Sequence, residues 1–254
     1  MGADIAWGQI QGNRPSQQDS AACLSWPSDL HLLVLADGLG GHTAGEVAST
    51  TAVKSFRDAF VAAPADLAIK DRLLSGLQEA NLAIYDRVQA SAELQGMGTT
   101  LVAASLEKES LIWVSVGDSV LWLLGDHGIR RLNENHSVGG LLDRQVQAGE
   151  ISAEEAASAP DRSELLEALM GDDVSLVDAP KEPLRLQSGD VLILASDGVE
   201  VCDDAELVKI ATECKQSSRD LVDAILEAVE RHARPGQDNA TVIVAQIDSS
   251  GESG

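Results

Sequence analysis

Leu32-Leu33-Val34-Leu35-Ala36-Asp37-Gly38-Leu39-Gly40-Gly41-His42-Thr43-Ala44-Gly45-Glu46 is the stretch on which the reading of this chain turns. Leu32 to Ala36 is short and wholly apolar, the pattern of a buried strand. It stops at an acid, and a glycine-rich turn then leads into a helix. Gly38, Gly40 and Gly41 permit backbone angles and close approaches that a side chain would block. The run predicts a strand that ends at Asp37 and presents its carboxylate at an open edge. An Asp-Gly pair alone marks a turn and nothing more, so the weight comes from the rest of the chain.

The arrangement recurs further out. Leu111 to Val116 leads to Gly117-Asp118, Val191 to Ala195 leads to Ser196-Asp197-Gly198, and Asp238-Asn239 stands just before Ala240 to Ala245. In antiparallel sheets the end of one strand lies beside the start of its neighbour. Asp37, Asp118, Asp197 and Asp238 are therefore expected to meet at one edge. Such carboxylates repel one another unless something neutralises them. Magnesium or manganese is the usual occupant of a site built from carboxylates and water. Asp118 also has a plainer reading, as an acid that serves the Val116 to Val120 turn.

The chain has 254 residues, 44% of them hydrophobic and only 3% aromatic, so a sizeable core must rest on Leu, Val, Ile and Ala. Its 41 acids against 18 Lys and Arg leave a formal charge of −23. That argues against nucleic-acid binding, which needs a basic face, and against anionic membranes. For most of the surface the acidity serves solubility. Cys23, Cys202 and Cys214 are odd in number and show no Cys-x-x-Cys spacing. Inert thiols in a reducing compartment are expected, with no zinc site or disulfide framework. No basic-then-apolar leader and no apolar run near about 18 residues occurs, so a cytoplasmic protein without a membrane span is expected.

In chain order, Ile5 to Ile10 and Ser20 to Ser25 read as strands around the polar turn Gly12-Asn13-Arg14-Pro15-Ser16-Gln17-Gln18-Asp19. Arg14 is either a surface cation or an anion clamp, because guanidinium matches phosphate oxygens. Two helices follow, with stripes Val47, Ala48, Ala52, Phe56, Ala59, Phe60 and Leu73, Leu77, Ala80, Ile84, Val88. His42 and Glu46 are four apart, which suits a capping or surface pair better than a pair of ligands. Strands at Leu101 to Leu106, Leu111 to Val116 and Val120 to Leu124 with tight turns predict an antiparallel meander. Asn135 to Leu186 is irregular, with a short helix around Leu141, Leu142 and Val146 and a capping box at Ser152 and Glu155. Such a stretch inside a compact domain suggests a lid. Ser217 to Ala233 is the last helix, and residues 249–254 form a polar tail expected to be disordered. No repeat or linker divides residues 1–248.

Taken together and in order, these motifs resemble the metal-dependent Ser/Thr protein phosphatases of type 2C, the PPM family. Arg14-Pro15-Ser16-Gln17-Gln18-Asp19 is similar to its first motif, Arg-x-x-Asn-(Gln/Glu)-Asp. Asp37-Gly38-Leu39-Gly40-Gly41-His42 resembles the bacterial Asp-Gly-Met-Gly-Gly-His form. Gly96-Met97-Gly98-Thr99-Thr100, Val116-Gly117-Asp118-Ser119, Asn135-His136-Ser137, Ala195-Ser196-Asp197-Gly198 and Asp238-Asn239-Ala240-Thr241 match later motifs. The likeness spans roughly Gly8 to Ile247.

The resemblance implies an α+β fold, an αββα sandwich of two antiparallel sheets flanked by helices. It implies a phosphatase that hydrolyses phosphoserine and phosphothreonine in proteins with metal-activated water and opposes a bacterial Ser/Thr kinase. Two or three Mn2+ or Mg2+ ions would be held by Asp37, the Gly38 carbonyl, Asp118, Asp197 and Asp238. Asp19 and Asn239 would act in the surrounding shell, Asp19 through water, and Arg14 would hold the substrate phosphate. Residues 135–163 would form the flap, and a monomer acting on phosphorylated proteins is expected. Two cations can bring a water to hydroxide near neutral pH. That hydroxide can attack phosphorus in line while the cations and Arg14 offset charge on the phosphoryl oxygens. Gln18 stands where many members carry Glu, Gln17 where the motif has Asn, and Leu39 where eukaryotic members have a proton-donating His. A P-loop run is absent, and the glycines after Asp37 lack dinucleotide-site spacing. The remaining alternative is a catalytically weak phosphoprotein-binding module on the same fold.

Overall fold

Leu32, Val34 and Ala36 pack against Phe56, Phe60, Leu73 and Ile84 of the helices. Leu33 and Leu35, on the other face, pack against Leu192, Leu194 and Ile243 of a second sheet. Side chains alternate faces along a strand, so a strand buried on both faces must be apolar throughout. That is why this run shows no polar alternation, and it sets the layering of the whole molecule. A computed structural model describes residues 2–214, 216–232 and 235–247, with the side chain of His42 excepted.

The elements in order are β1 (Ala3–Ile10), β2 (Asp19–Trp26), β3 (Leu30–Leu39), α1 (His42–Ala62), α2 (Ile69–Ala90), β4 (Gly98–Thr99), β5 (Leu101–Glu107) and β6 (Ser110–Val116). There follow β7 (Val120–Gly125), β8 (Gly128–Arg131), α3 (Val138–Gln147), α4 (Ala153–Ser158), β9 (Leu184–Arg185), β10 (Val191–Ala195), α5 (Asp204–Glu213), α6 (Ser218–His232) and β11 (Ala240–Ile247). One sheet has the order β1-β11-β10-β7-β8, the other β2-β3-β5-β6-β9 with β4 added on β3. Every strand pair is antiparallel. The expected αββα sandwich is what forms.

Three apolar layers hold it. The β2-β3 sheet buries Ala48, Ala52, Phe56 and Leu77 of α1 and α2. The β10-β11 sheet buries Leu221, Val222, Ile225 and Val229 of α6 with Leu207 of α5. Leu33, Leu35, Trp113, Leu192 and Ile243 fill the space between the sheets. Removing a ring such as Phe56, which is fully buried, would cost about 3–5 kcal/mol through lost transfer energy and the cavity left behind. Arg72 of α2 lies 4.2 Å over the Phe60 ring and donates to the Phe60 carbonyl at 2.8 Å. It thereby ties α2 to the end of α1, using one of the carbonyls that a helix end leaves open.

Four expectations need correction. β3 does not stop at Asp37 but runs on to Leu39, because Gly38 and Leu39 find partners in Thr99 and Gly98 of β4. The three strands β5, β6 and β7 are not one meander. The chain leaves one sheet after β6 and enters the other at β7, through Gly117 at φ 97°. α1 begins at His42, two residues before Ala44, from which the sequence pattern reads as helical. α5 was not anticipated, although Asp203 caps it and Leu207, Ile210 and Ala211 form its buried stripe. The Ser152–Glu155 capping box is present with both reciprocal bonds. Residues 249–254, and Ala233 at the foreseen end of α6, lie outside the described residues.

Candidate metal centre

The face that each residue takes follows from strand parity. Asp37 continues the Leu33, Leu35 series, so it falls on the face between the sheets. Asp19 is its register partner across β2 and β3, which puts it on the same face. In the other sheet, Ser196 continues the Leu192, Leu194 series and Thr241 the Ile243, Ala245 series. All four meet where the sandwich opens. Ser196 Oγ and Thr241 Oγ1 both donate to Asp19 Oδ2, at 2.8 and 2.7 Å. Gly38, of opposite parity, faces α1. A Cβ there would lie 2.1 Å from the Gly45 carbonyl oxygen, so only glycine lets α1 approach so closely.

The backbone of Asp37 is clamped from both sides. Its N–H donates to Thr100 Oγ1 at 3.0 Å, and its carbonyl accepts from Thr99 Oγ1 at 2.7 Å and Thr100 N at 2.9 Å. This accounts for the paired threonines of the Gly-Met-Gly-Thr-Thr run. Asp197 opens a short 3-10 turn, Asp197–Val201. A Cβ on the following Gly198 would fall 2.0 Å from the Asn239 carbonyl oxygen, so this glycine brings Asp197 hard against the Asp238-Asn239 segment.

The electrostatics report the crowding. Burial, then the fields of Asp19, Asp197, Asp118 and Asp238, push Asp37 well above the ordinary carboxylate range. Burial raises Asp19 to about 6, against the opposing bonds from Thr241 and Ser196. Burial, with Asp118 and Asp238, raises Asp197 to about 7. Asp19 Oδ1 and Asp197 Oδ1 are buried and accept no hydrogen bond from the chain. Orphaned buried carboxylate oxygens are costly, and like charges held together cost more. Hard divalent cations relieve both, because they take oxygen ligands and offset the charge. The donor set therefore fits Mg2+ or Mn2+ by its chemistry. Among the described residues, no three His, Cys, Asp or Glu side chains already form a group that could hold a metal ion.

Arg14 is placed elsewhere than a free clamp would be. Its Nη2 lies 2.5 Å from Asp238 Oδ2, and both side chains remain partly exposed. Asp238 Oδ1 accepts from Asn239 N at 2.8 Å, so both of its oxygens are engaged by the chain. Asn239 itself fastens the first-motif loop. It accepts from Gln18 N at 2.8 Å and donates to the carbonyls of Gln11 and Ser16 at 2.7 and 3.0 Å. Gly12, at φ 61°, passes so close that a Cβ would sit 2.2 Å from the Asp238 carbonyl oxygen. Gln18 donates to the Gly40 carbonyl at 3.3 Å, a bond that a glutamate could not make.

Asp118 sits on the crossing between the sheets. Thr100 Oγ1 and Ser119 Oγ are 2.7 Å apart, so this turn is joined to the threonines that hold Asp37. His136 closes the turn from the other side, its N–H donating to the Gly117 carbonyl at 3.0 Å and its Nδ1 accepting from Gly117 N at 3.3 Å. Burial raises Asp118 above its ordinary value, and Arg131 opposes the shift.

Ser196, Thr241, Thr99, Thr100, Arg131 and His136 were not among the expected site residues. All but Arg131 lie inside the matched motifs, and the parity of Ser196 and Thr241, polar residues on an inter-sheet series, is a further signal for those two.

The chain matches the family model described as protein phosphatase 2C over residues 9–240. It is 33% identical over 239 residues to the serine/threonine phosphatase stp of Listeria monocytogenes, covering 92% of each chain. It superposes on the crystal structure of the Mycobacterium tuberculosis serine/threonine phosphatase PstP/Ppp with a TM-score of 0.83 at 28% identity, over 98% of this chain and 100% of that one. A PstP catalytic domain in complex with two manganese ions matches with a TM-score of 0.80 at 27% identity, over 97% of this chain and 99% of that one.

Proposed function

The chain belongs to the protein phosphatase 2C family, and from that premise we propose that Asp19, Asp37, Asp197 and Asp238 form the catalytic edge of a metal-dependent protein serine/threonine phosphatase. The observation that carries the reading is the half-buried inter-sheet carboxylate cluster, with the buried Oδ1 atoms of Asp19 and Asp197 left without a chain donor. Two or three Mn2+ or Mg2+ ions would be held by Asp37, the Gly38 carbonyl, Asp197 and Asp238, with Asp118 serving the third. When bound, such cations polarise water and offset charge on phosphoryl oxygens.

The chain's own residues do the rest. Thr99 and Thr100 fix Asp37 at the cluster. Ser196 and Thr241 occupy Asp19 Oδ2 and leave Oδ1 to orient water. Asn239 fixes the loop that carries Arg14. Arg14 reaches a substrate phosphate by exchanging its bond to Asp238, its planar fork being suited to two phosphoryl oxygens. Leu39 cannot donate a proton, so the leaving seryl or threonyl oxygen is not protonated from that position.

Residues 1–248 would act as one catalytic domain with residues 135–163 as its flap. An ion pair of Arg162 with Asp143 at 2.7 Å, joining α3 to the segment after α4, supports that unit. Every phosphoserine or phosphothreonine substrate presupposes a kinase, so the partners are phosphorylated proteins and the kinase that makes them. Among the described residues no helix is long and apolar enough to cross a membrane. By likeness to the bacterial stp relatives, a cytoplasmic location is the reading proposed, with the chain acting as a monomer. No observation favours the binding-module alternative.

Phosphate release from a phosphothreonine peptide, measured with and without Mn2+, tests the reading. Metal-dependent release is expected. A folded, metal-saturated protein that releases no phosphate would overturn it.

A further inference from the structure

We infer that Arg131 is a positioning residue for Asp118, fixing the inter-sheet turn from which that carboxylate reaches the cations. The inference rests on the reading of Asp118 as a metal ligand. Arg131 ends β8, the edge strand beside β7, and its side chain runs back under the crossing. Nη2 donates to the Asp118 carbonyl at 2.7 Å and to the Ser119 carbonyl at 3.3 Å. Nε donates to the Asn133 carbonyl at 3.2 Å. Asn133 in turn donates to the Ser119 carbonyl at 2.9 Å and accepts from Leu121 N at 2.8 Å. Nη2 thus holds two carbonyls of the turn while Nε holds Asn133, which itself bonds the turn; a planar fork can fix both at once and an ammonium, a single point donor, cannot do so in the same geometry.

Two further facts favour positioning over a general structural role. Arg131 is only 22% exposed, and its Nη1 faces Glu200 Oε1 at 3.8 Å. Glu200 lies on the turn that opens with Asp197. Arg131 therefore links the turn carrying Asp118 to the turn carrying Asp197, outside the ligands themselves. Glu200 also offsets the guanidinium charge. The expected effect of removing Arg131 is then loss of geometry, not relief of charge repulsion. The two differ in sign: lost geometry weakens cation binding, whereas relieved repulsion strengthens it.

The test is a calorimetric Mn2+ titration of the metal-stripped full chain, with a melting curve for each variant. Asp118→Asn should lose the weakest Mn2+ site and keep the others. Arg131→Gln should weaken that same site by about 10-fold or more, as loss of an outer-shell partner does, and spare the tighter sites. Arg131→Lys, which keeps the charge but not the fork, should fall between parent and Arg131→Gln. The double variant Asp118→Asn/Arg131→Gln should titrate like Asp118→Asn alone, since a residue acting through Asp118 has nothing left to position. Equal or tighter Mn2+ binding in Arg131→Gln, with the site still lost in Asp118→Asn, overturns the inference and leaves the role of Asp118 standing. Unchanged titration of Asp118→Asn removes the underlying reading and the inference with it. If Arg131→Gln does not fold, Arg131→Lys decides: parent-like binding of the weakest site overturns the inference.

Discussion

Arg14 and Asp238, 224 residues apart in sequence, are joined by a 2.5 Å contact between Nη2 and Oδ2 at the mouth of the carboxylate cluster. One partner is the proposed phosphate clamp and the other a proposed metal ligand. If both proposed roles hold, a cation at Asp238 Oδ2 would compete with this contact, and cation binding would be coupled to release of Arg14 toward substrate. Arg14→Ala should lower kcat/KM on a phosphopeptide about 10- to 150-fold, the equivalent of losing a charge-assisted hydrogen bond of about 1.5–3 kcal/mol. It should not weaken Mn2+ binding, because a competitor for Asp238 is gone. Kinetics beside calorimetry checks this. A parallel loss of both would make Arg14 a support for the metal site instead of a clamp.

Chelation should stop turnover, and Mn2+ or Mg2+ should restore it. The same cations should raise the melting temperature, since a ligand that binds only the folded state adds about 2.7 kcal/mol at 100 times its Kd. A melting curve that ignores Mn2+ would remove the metal reading without any assay of activity.

Asp37→Asn and Asp197→Asn should each abolish turnover in a folded protein. In chelator they should melt no lower than the parent, because each removes one of several mutually repelling carboxylates. Near-normal rates in either variant would reduce that acid to a turn residue.

Gly38→Ala should be destabilising by about 1–3 kcal/mol or more, the usual cost of overpacking. The new Cβ meets backbone of α1 at 2.1 Å, not the end of a movable side chain. Denaturant unfolding measures the loss. An unchanged midpoint would show that α1 can retreat from β3 without penalty.

Cys23 and Cys202 should resist alkylation in the native state at pH 8. Burial pushes Cys23 up to about 12 and Cys202 up to about 11. The thiolate is the reactive form, and at that pH it is a minute fraction of either. Mass spectrometry after iodoacetamide treatment, native against denatured, reads this directly. Rapid native labelling of either thiol would show that its surroundings open.

Strands and helices whose signal is local are legible along the chain. Leu32 to Ala36 reads as a buried strand because both of its faces are apolar, and Ser152 with Glu155 reads as a helix start because the capping box spans four residues. The α5 stripe carried the same kind of signal and could have been read. The ordered acid motifs likewise pointed to one reaction family. Tertiary structure alone decided which sheet each strand joins, and so the switch between sheets at Gly117. It also decided that β3 continues through Asp37, since the reason is the distant partner β4. The ion pair of Arg14 with Asp238 and the hold of Arg131 on Asp118 belong to the same class. The physical reason is common to all of them. Periodicity and capping are settled among neighbours along the chain, whereas pairing, charge compensation and hydrogen-bond partners are settled only when distant segments compete for the same space.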